Sequence, residues 1–178
     1  TGTSTGTGTG TGIVIPSGPG ITVALASDNP VAATIVADST GTTDSAQSMI
    51  QGMKITLANG DSSDVKVTTI KFTREGISAD ADVSQAYLYE GDTKLVEYQS
   101  FSSALLTFNS SGGIVTVPAG SSKTITLKYD LANNTSSGKT IRFAIVAATD
   151  VVSDGSKVNG TFPVVGNYMS TAVTTDVG

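Results

Sequence analysis

Apolar and polar residues alternate one by one along most of this chain, in short runs that end at turn-forming residues. In one such run, Met53, Ile55 and Leu57 alternate with Lys54 and Thr56. Because successive side chains of an extended strand point to opposite faces, this alternation predicts a β-strand with one buried face. The same reasoning predicts strands at residues 21–25, 33–37, 51–57, 65–73, 83–89, 94–98, 104–108, 114–117, 123–129, 139–147, 151–152, 160–165 and 168–174.

The spacing of these runs predicts the fold class. Turn signals rich in Gly, Asn, Asp and Pro recur about every ten residues, and residues 90–93 (Glu-Gly-Asp-Thr) are expected to turn a hairpin. No segment repeats apolar residues at helical spacing over several turns, although residues 45–53 could form one helical turn that Gly52 weakens. Many short strands with regular turns predict an all-β fold, an Ig-like antiparallel β-sandwich.

Two finer expectations concern individual strands. Strict alternation in residues 65–73 places Ile70 and Phe72 on one face of the strand and Val67 on the other. Residues 168–178 are predicted to form a closing edge strand, with a second terminal arm as the alternative.

The chain begins with a two-residue repeat of Thr and Gly over residues 1–12. Such a segment has no apolar side chain of useful size and cannot fold alone. Its threonines line one edge of an extended backbone, and the glycines between them leave space for a sugar on every hydroxyl. We therefore predict O-glycosylation here, with a flexible linker as the alternative interpretation. The predicted sites are Thr3, Thr5, Thr7, Thr9 and Thr11.

A short apolar trio, Ile13, Val14 and Ile15, follows the repeat and is separated from the rest by a Pro- and Gly-rich break at residues 16–20. An exposed apolar segment tethered outside a sandwich can add as a strand to the open sheet of another copy. The alternative is that the trio is the first strand of its own domain. We predict a donor strand, with residues 1–20 as an extended arm and residues 21–178 as the β-sandwich domain.

Composition narrows the classes of function. Charged residues are 14% of the chain, the net charge is −5, and the first Lys or Arg is Lys54, whereas nucleic-acid binding needs a basic surface. The chain has no Cys and no His, which removes disulfides, thiol catalysis and the commonest general base and metal ligand. We expect no enzymatic activity, no metal, no cofactor and no nucleic-acid partner. No apolar run is long enough to cross a membrane.

Asparagines in Asn-x-Ser/Thr sequons offer candidate N-glycosylation sites, and all are expected to lie in turns. Chance is the alternative explanation in a chain so rich in Asn, Ser and Thr. The sequon asparagines are Asn109, Asn133, Asn134 and Asn159.

Two acidic clusters could supply oxygen ligands to Ca²⁺. They are Asp80 with Asp82, near Ser78 and Ser84, and residues 61–64. Neither has the spacing of a Ca²⁺-binding loop, so both are expected to be solvated turns.

Four stretches resemble the repeated β-sandwich modules of large bacterial S-layer and stalk-type surface proteins. They are residues 23–30, 83–91, 117–126 and 160–167. The resemblance spans residues 21 to about 169 and implies an extracellular, non-enzymatic structural role. In architecture, a single module with an arm is also similar to subunits of donor-strand-linked extracellular filaments.

The sequence thus predicts a secreted subunit of a pilus-like prokaryotic surface filament, joined head to tail by its glycosylated arm. Its expected partners are other copies of itself and covalent glycans, without membrane insertion. The alternative is one β-sandwich module of a larger S-layer, stalk or adhesin protein, in which the Thr-Gly tract is a linker.

Overall fold

The computed structural model describes residues 18–38 and 46–173, which form two β-sheets packed face to face. This confirms the predicted all-β sandwich. Two single turns of 3₁₀ helix, Asp80–Asp82 and Ala148–Asp150, interrupt the strands. The strands are β1 (Ile21–Leu25), β2 (Ala33–Ala37), β3 (Ile50–Asn59), β4 (Val65–Glu75), β5 (Val83–Glu90), β6 (Thr93–Glu97), β7 (Ser100–Ser102), β8 (Leu105–Asn109), β9 (Val115–Val117), β10 (Ser122–Leu131), β11 (Thr140–Ile145), β12 (Val151–Ser153), β13 (Val158–Gly160), β14 (Val164–Val165) and β15 (Met169–Val173).

The first sheet has six strands in the order β13-β1-β3-β10-β5-β6. Its pairs are antiparallel except for β1 and β13, which run parallel. Glu90 pairs with Thr93 across the β5–β6 turn, so Gly91 and Asp92 form the expected two-residue hairpin loop. The ten-residue strands β3 and β10 lie at the centre of this sheet.

The second sheet follows the path β2-β15-β11-β4-β8-β7, with β9 and β12 also paired to β4 and β14 paired to β11. The long strand β4 has β8 and β9 on one side and β11 and β12 on the other. The outermost pair, β2 with β15, is parallel. Parallel pairs were not expected from an alternation that predicted antiparallel sheets alone.

The core lies between the two sheets and is built from the apolar residues that the alternation selects. Phe72 and Phe108 of the second sheet meet edge to face, with ring centroids 5.9 Å apart. Tyr129 of the first sheet meets Phe143 of the second in the same way at 5.4 Å. Such edge-to-face pairs stabilise a core beyond the burial of their area. All four rings are at most 1% exposed.

Two expectations about individual strands were wrong, and the structure decides one alternative that the sequence had left open. Val67 and Ile70 are both fully buried, because a β-bulge at Thr68 inserts one residue into β4 opposite β12 and reverses the alternation. The C-terminal strand β15 is not an edge, because β2 pairs along its outer side. Residues 50–53, weighed as part of a helical turn, begin the central strand β3.

Candidate functional site

The chain enters the sandwich at a point fixed by several hydrogen bonds, which we call the arm root (Pro19 and Gly20). The Gly20 N–H donates to Asp61 Oδ1 at 2.8 Å, and the Gly20 carbonyl oxygen accepts from the Gly60 N–H at 2.8 Å. The Asn159 side-chain amide donates to the Pro19 carbonyl oxygen at 2.8 Å. Gly20 has a φ of 96°, and a Cβ there would overlap the backbone of Lys157. The backbone therefore enters β1 from one fixed position.

Asp61 holds the arm root together with the loop that precedes β13. Its carboxylate accepts hydrogen bonds from the Ser156 N–H at 3.0 Å and the Ser156 hydroxyl at 2.7 Å, besides that from Gly20. These bonds, led by the one from the Ser156 backbone, lower the pKa of Asp61 below its usual range. Because the bonds favour the charged carboxylate, the arm root is strongest where Asp61 is ionised.

Two edge strands carry features that protect them against further strand pairing. On the outer side of β2, Val36 donates its N–H to Gln47 Oε1 and accepts from the Gln47 N–H, both at 2.9 Å. On β6, an exposed ion pair joins Lys94 and Glu97 at 2.6 Å. Covering groups and charged side chains are devices that prevent strand addition at sheet edges.

The second half of β1 has no such protection. The Ile21 N–H donates to the Lys157 carbonyl oxygen on the β13 side, and backbone groups of alternate strand residues point the same way. The N–H and C=O of Leu25 therefore also point to that side. The ladder with β13 ends where Val23 meets Gly160, so within residues 18–38 and 46–173 no strand pairs with Leu25 there.

A cleft of about 860 Å³ opens beside this unpaired end of β1. We call it the seam cleft, because β1 of the first sheet and β14 of the second meet along it. Leu25 is 39% exposed here, although it lies on the same face of β1 as Ile21 and Val23, which are at most 1% exposed. The cleft is lined by Thr22, Val23, Ala24, Leu25, Ala148, Val158, Asn159, Gly160, Thr161, Phe162, Pro163, Val164 and Val165.

Gly160 sets the point where β13 stops following β1. Its φ is 152°, and a Cβ there would come within 2.6 Å of the Val23 carbonyl oxygen. Only glycine allows this close approach of the two backbones. After Gly160 the chain leaves the ladder and forms the far wall of the seam cleft with Phe162, Val164 and Val165.

The predicted arm sites, Thr3, Thr5, Thr7, Thr9, Thr11, Ile13, Val14 and Ile15, lie outside the described residues. Among the sequons, Asn109 is exposed at the end of β8, and Asn133 and Asn134 are exposed in a turn. Asn159 lies in strand β13 rather than in the expected turn, because residues 158–160 pair with β1.

Of the two acidic clusters, residues 61–64 lie in an exposed bend, as expected, whereas Asp80 and Asp82 do not form a solvated turn. Asp80 pairs with Arg74 at 3.0 Å, and the Lys139 ammonium group lies 2.8 Å from both carboxylate oxygens of Asp82. The Asp61 carboxylate accepts hydrogen bonds from Gly20 in the arm root and from Ser156. In the described parts of the chain, no three acidic side chains converge on a metal position. Cationic and amide partners thus occupy the carboxylates that had been weighed as Ca²⁺ ligands.

Sequence reasoning missed the seam cleft and the arm root. Leu25 alternates in phase with Ile21 and Val23, so the sequence pattern predicts that it is buried. It is exposed because β13 is short, and β13 lies far away in the chain. Asp61 was noted only as a member of an acidic turn. A local signal exists for Gly20, since it follows a proline directly before a strand.

Within the described residues, no helix has the length and apolar character needed to cross a membrane. No family model matches the chain, and no curated protein matches it.

Among solved structures, the chain is similar to the seventh ScaB type I cohesin from Pseudobacteroides cellulosolvens. The two are 12% identical over 89% of this chain and 96% of the cohesin, with a TM-score of 0.36. It is also similar to part of a GH20 exo-β-N-acetylglucosaminidase from Vibrio harveyi, at 11% identity and a TM-score of 0.30. That match covers 88% of this chain but only 19% of the enzyme. Both TM-scores are below 0.5, so neither match carries an inference about function.

Proposed function

We propose that this chain is a structural subunit of an extracellular prokaryotic surface filament. Copies join head to tail when the N-terminal arm of one copy adds as a strand to the next. The apolar trio of the arm, Ile13, Val14 and Ile15, is the donor segment. The subunit has a scaffolding role and performs no catalysis.

One observation carries the proposal, namely that β1 has the hydrogen-bonded arm root at one end and an unpaired backbone at the other. The arm leaves at Gly20, held by Asp61 and by Gly60. The unpaired backbone is that of Leu25, about 16 Å further along the same strand at the rise of an extended chain. A donor and an acceptor at different places on one molecule give a heterologous contact, which generates an open filament when the rotation does not close.

The Thr-Gly tract fits this role as a sugar-bearing spacer between subunits. It is uncharged and lacks apolar bulk, so it contributes nothing to a core. Sugars on Thr3, Thr5, Thr7, Thr9 and Thr11 stiffen the arm and coat the junction with hydrophilic groups. Mass spectrometry of the mature protein before and after β-elimination tests the proposed glycosylation. We expect β-elimination to remove hexose-sized masses from the tract.

The experiment on assembly compares the full chain with a variant that lacks residues 1–15, by sedimentation and negative-stain electron microscopy. The truncated chain keeps Pro19, Gly20 and every strand of both sheets, so we expect it to be folded and monomeric while the full chain forms filaments. A chain lacking residues 174–178 is the control for terminal truncation, and we expect it to polymerise. Polymerisation without residues 1–15 contradicts the proposed function.

A second variant separates the trio from the length of the arm. Replacing Ile13, Val14 and Ile15 by serine leaves the arm at full length but removes its only large apolar side chains. If strand addition with apolar anchoring joins the copies, this variant behaves like the truncated chain. Filaments of normal length from this variant would show that the arm acts only as a tether.

A further inference from the structure

We infer that the seam cleft is the docking surface for residues 13–15 of a second copy of this chain. The inference rests on the proposed function and names the surface that accepts the arm. It also assigns the anchoring side chains, Ile13 and Ile15, to the face of the inserted strand that covers Leu25.

A side chain that faces the core is exposed beside the seam cleft. Leu25 lies opposite Ile55 in the β1–β3 ladder, so its side chain points to the core side of the sheet. Ile55 is 1% exposed, whereas Leu25 is 39% exposed beside the seam cleft. A strand placed next to Leu25 covers it and also receives the backbone hydrogen bonds that Leu25 directs away from β3.

The seam cleft and the apolar trio also match chemically. No residue that lines the cleft is charged, and the chain carries no charged residue before Asp28. In an extended trio, Ile13 and Ile15 point to one face and Val14 to the other. With the isoleucines on the face of Leu25, the inserted strand presents two large apolar side chains to the wall formed by Phe162 and Val164.

The trio could reach the cleft of its own chain only through a fully extended connection. Leu25 is about 16 Å from Gly20 along β1. Ile15 precedes Gly20 by five residues, which span at most about 18 Å when fully extended. Gly18 has a φ of 82° and lies in a bend, so this stretch falls short of that length. Strand β13 also occupies the edge of β1 along the direct path. The occupant therefore comes from another copy.

A matched pair of variants tests the assignment in the full chain. Leu25→Lys places a charge at the unpaired end of β1, and charged side chains prevent strand addition. Val36→Lys makes the same change on the edge strand β2, where Val36 is 37% exposed compared with 39% for Leu25. We expect Leu25→Lys to lower the polymerised fraction at least tenfold and Val36→Lys to leave it within twofold of the native value.

The absence of cysteine from the chain allows a second, independent measurement. The Val14→Cys variant is mixed with either Thr161→Cys in the cleft or Thr34→Cys on β2, and a short bis-maleimide is added. Thr161 and Thr34 are both exposed. We expect cross-linked pairs of chains with Thr161→Cys and only background with Thr34→Cys. This result keeps the assignment testable even if Leu25→Lys unfolds the domain.

The outcomes separate the two proposals. If the native chain forms arm-dependent filaments while Leu25→Lys, shown to be folded by circular dichroism, polymerises normally, the cleft assignment is overturned and the proposed function stands. Equal cross-linking of both cysteine positions likewise overturns the assignment. If the native chain fails to form filaments, or forms them without residues 1–15, the proposed function is overturned and the assignment falls with it.

Discussion

Leu25 and Ile55 are direct partners in the antiparallel ladder between β1 and β3, yet the first is 39% exposed and the second 1% exposed. The two side chains lie on the same face of one sheet. The difference arises because β13 covers β1 only as far as Val23, so the sandwich is incomplete beside Leu25.

This difference predicts that shortening either side chain to alanine destabilises the domain by a different amount. The measurement uses the monomer that lacks residues 1–15. Ile55→Ala removes fully buried groups and should lower the free energy of unfolding by about 2–5 kcal/mol. Leu25→Ala should lower it by no more than about 1.5 kcal/mol, because part of the side chain is already in water. Urea denaturation of the two variants measures both values, and equal losses would mean that Leu25 is covered within its own chain.

The hydroxyl of Tyr129 predicts a stabilising substitution. It is buried without a hydrogen-bond partner in the described parts of the chain, and an unsatisfied buried polar group costs about 1–3 kcal/mol. Tyr129→Phe should therefore raise the free energy of unfolding by about 1 kcal/mol, as measured by urea denaturation.

Tyr87 provides the matched control. Its hydroxyl donates to Asp130 Oδ2 at 3.0 Å, and its pKa is raised to about 12, first by burial and then by this hydrogen bond with Asp130. Tyr87→Phe should lower the free energy of unfolding by about 0.5–1.5 kcal/mol. A loss of stability in Tyr129→Phe as large as in Tyr87→Phe would contradict the account of the buried hydroxyl.

The ion pair between Asp82 and Lys139 should matter far more than an exposed one. Asp82 is 7% exposed and also accepts a hydrogen bond from the Ala79 N–H at 2.6 Å. Lys139→Met leaves this carboxylate without its cation and should lower the free energy of unfolding by about 2–4 kcal/mol. Lys94→Met breaks an exposed pair and should leave the urea midpoint unchanged. A Lys139→Met variant as stable as the native chain would show that water replaces the ammonium group without loss.

Asp61 predicts a dependence of the arm root on pH. Hydrogen bonds from Ser156, followed by that from Gly20, hold the pKa of Asp61 below its ordinary value of 3.8. A carboxylate with a lowered pKa contributes its full stabilisation above the ordinary value and loses it as the pH falls through the folded value. The amide resonances of Gly20 and Ser156 should therefore titrate with a midpoint below pH 3.8. Asp61→Asn should abolish this titration, and a shift at the same pH in that variant would implicate another group.

Much of the fold follows from local pattern. Strands β1 and β2 begin and end where alternation and the flanking turn residues predict, and Gly91 with Asp92 turns the expected hairpin. Short-range signals suffice here because strand propensity and turn chemistry depend on neighbours in the chain.

The features that local pattern missed depend on residues far apart in the chain. The bulge at Thr68 is defined by pairing with β12, more than eighty residues further on. The ionic partner of Asp82 is Lys139, and the exposure of Leu25 depends on where β13 ends. No window of sequence contains both members of these pairs, so sheet order and the seam cleft emerge only from the folded structure.

The central claim is that one copy supplies a strand to the next. A cryo-electron microscopy map of the assembled native protein tests it most directly. The account predicts a helical filament in which an extended segment from an adjacent copy lies beside Leu25, with two isoleucines facing Phe162 and Val164. Discrete particles, or filaments in which residues 13–15 pack on their own domain and leave the seam cleft empty, would contradict it.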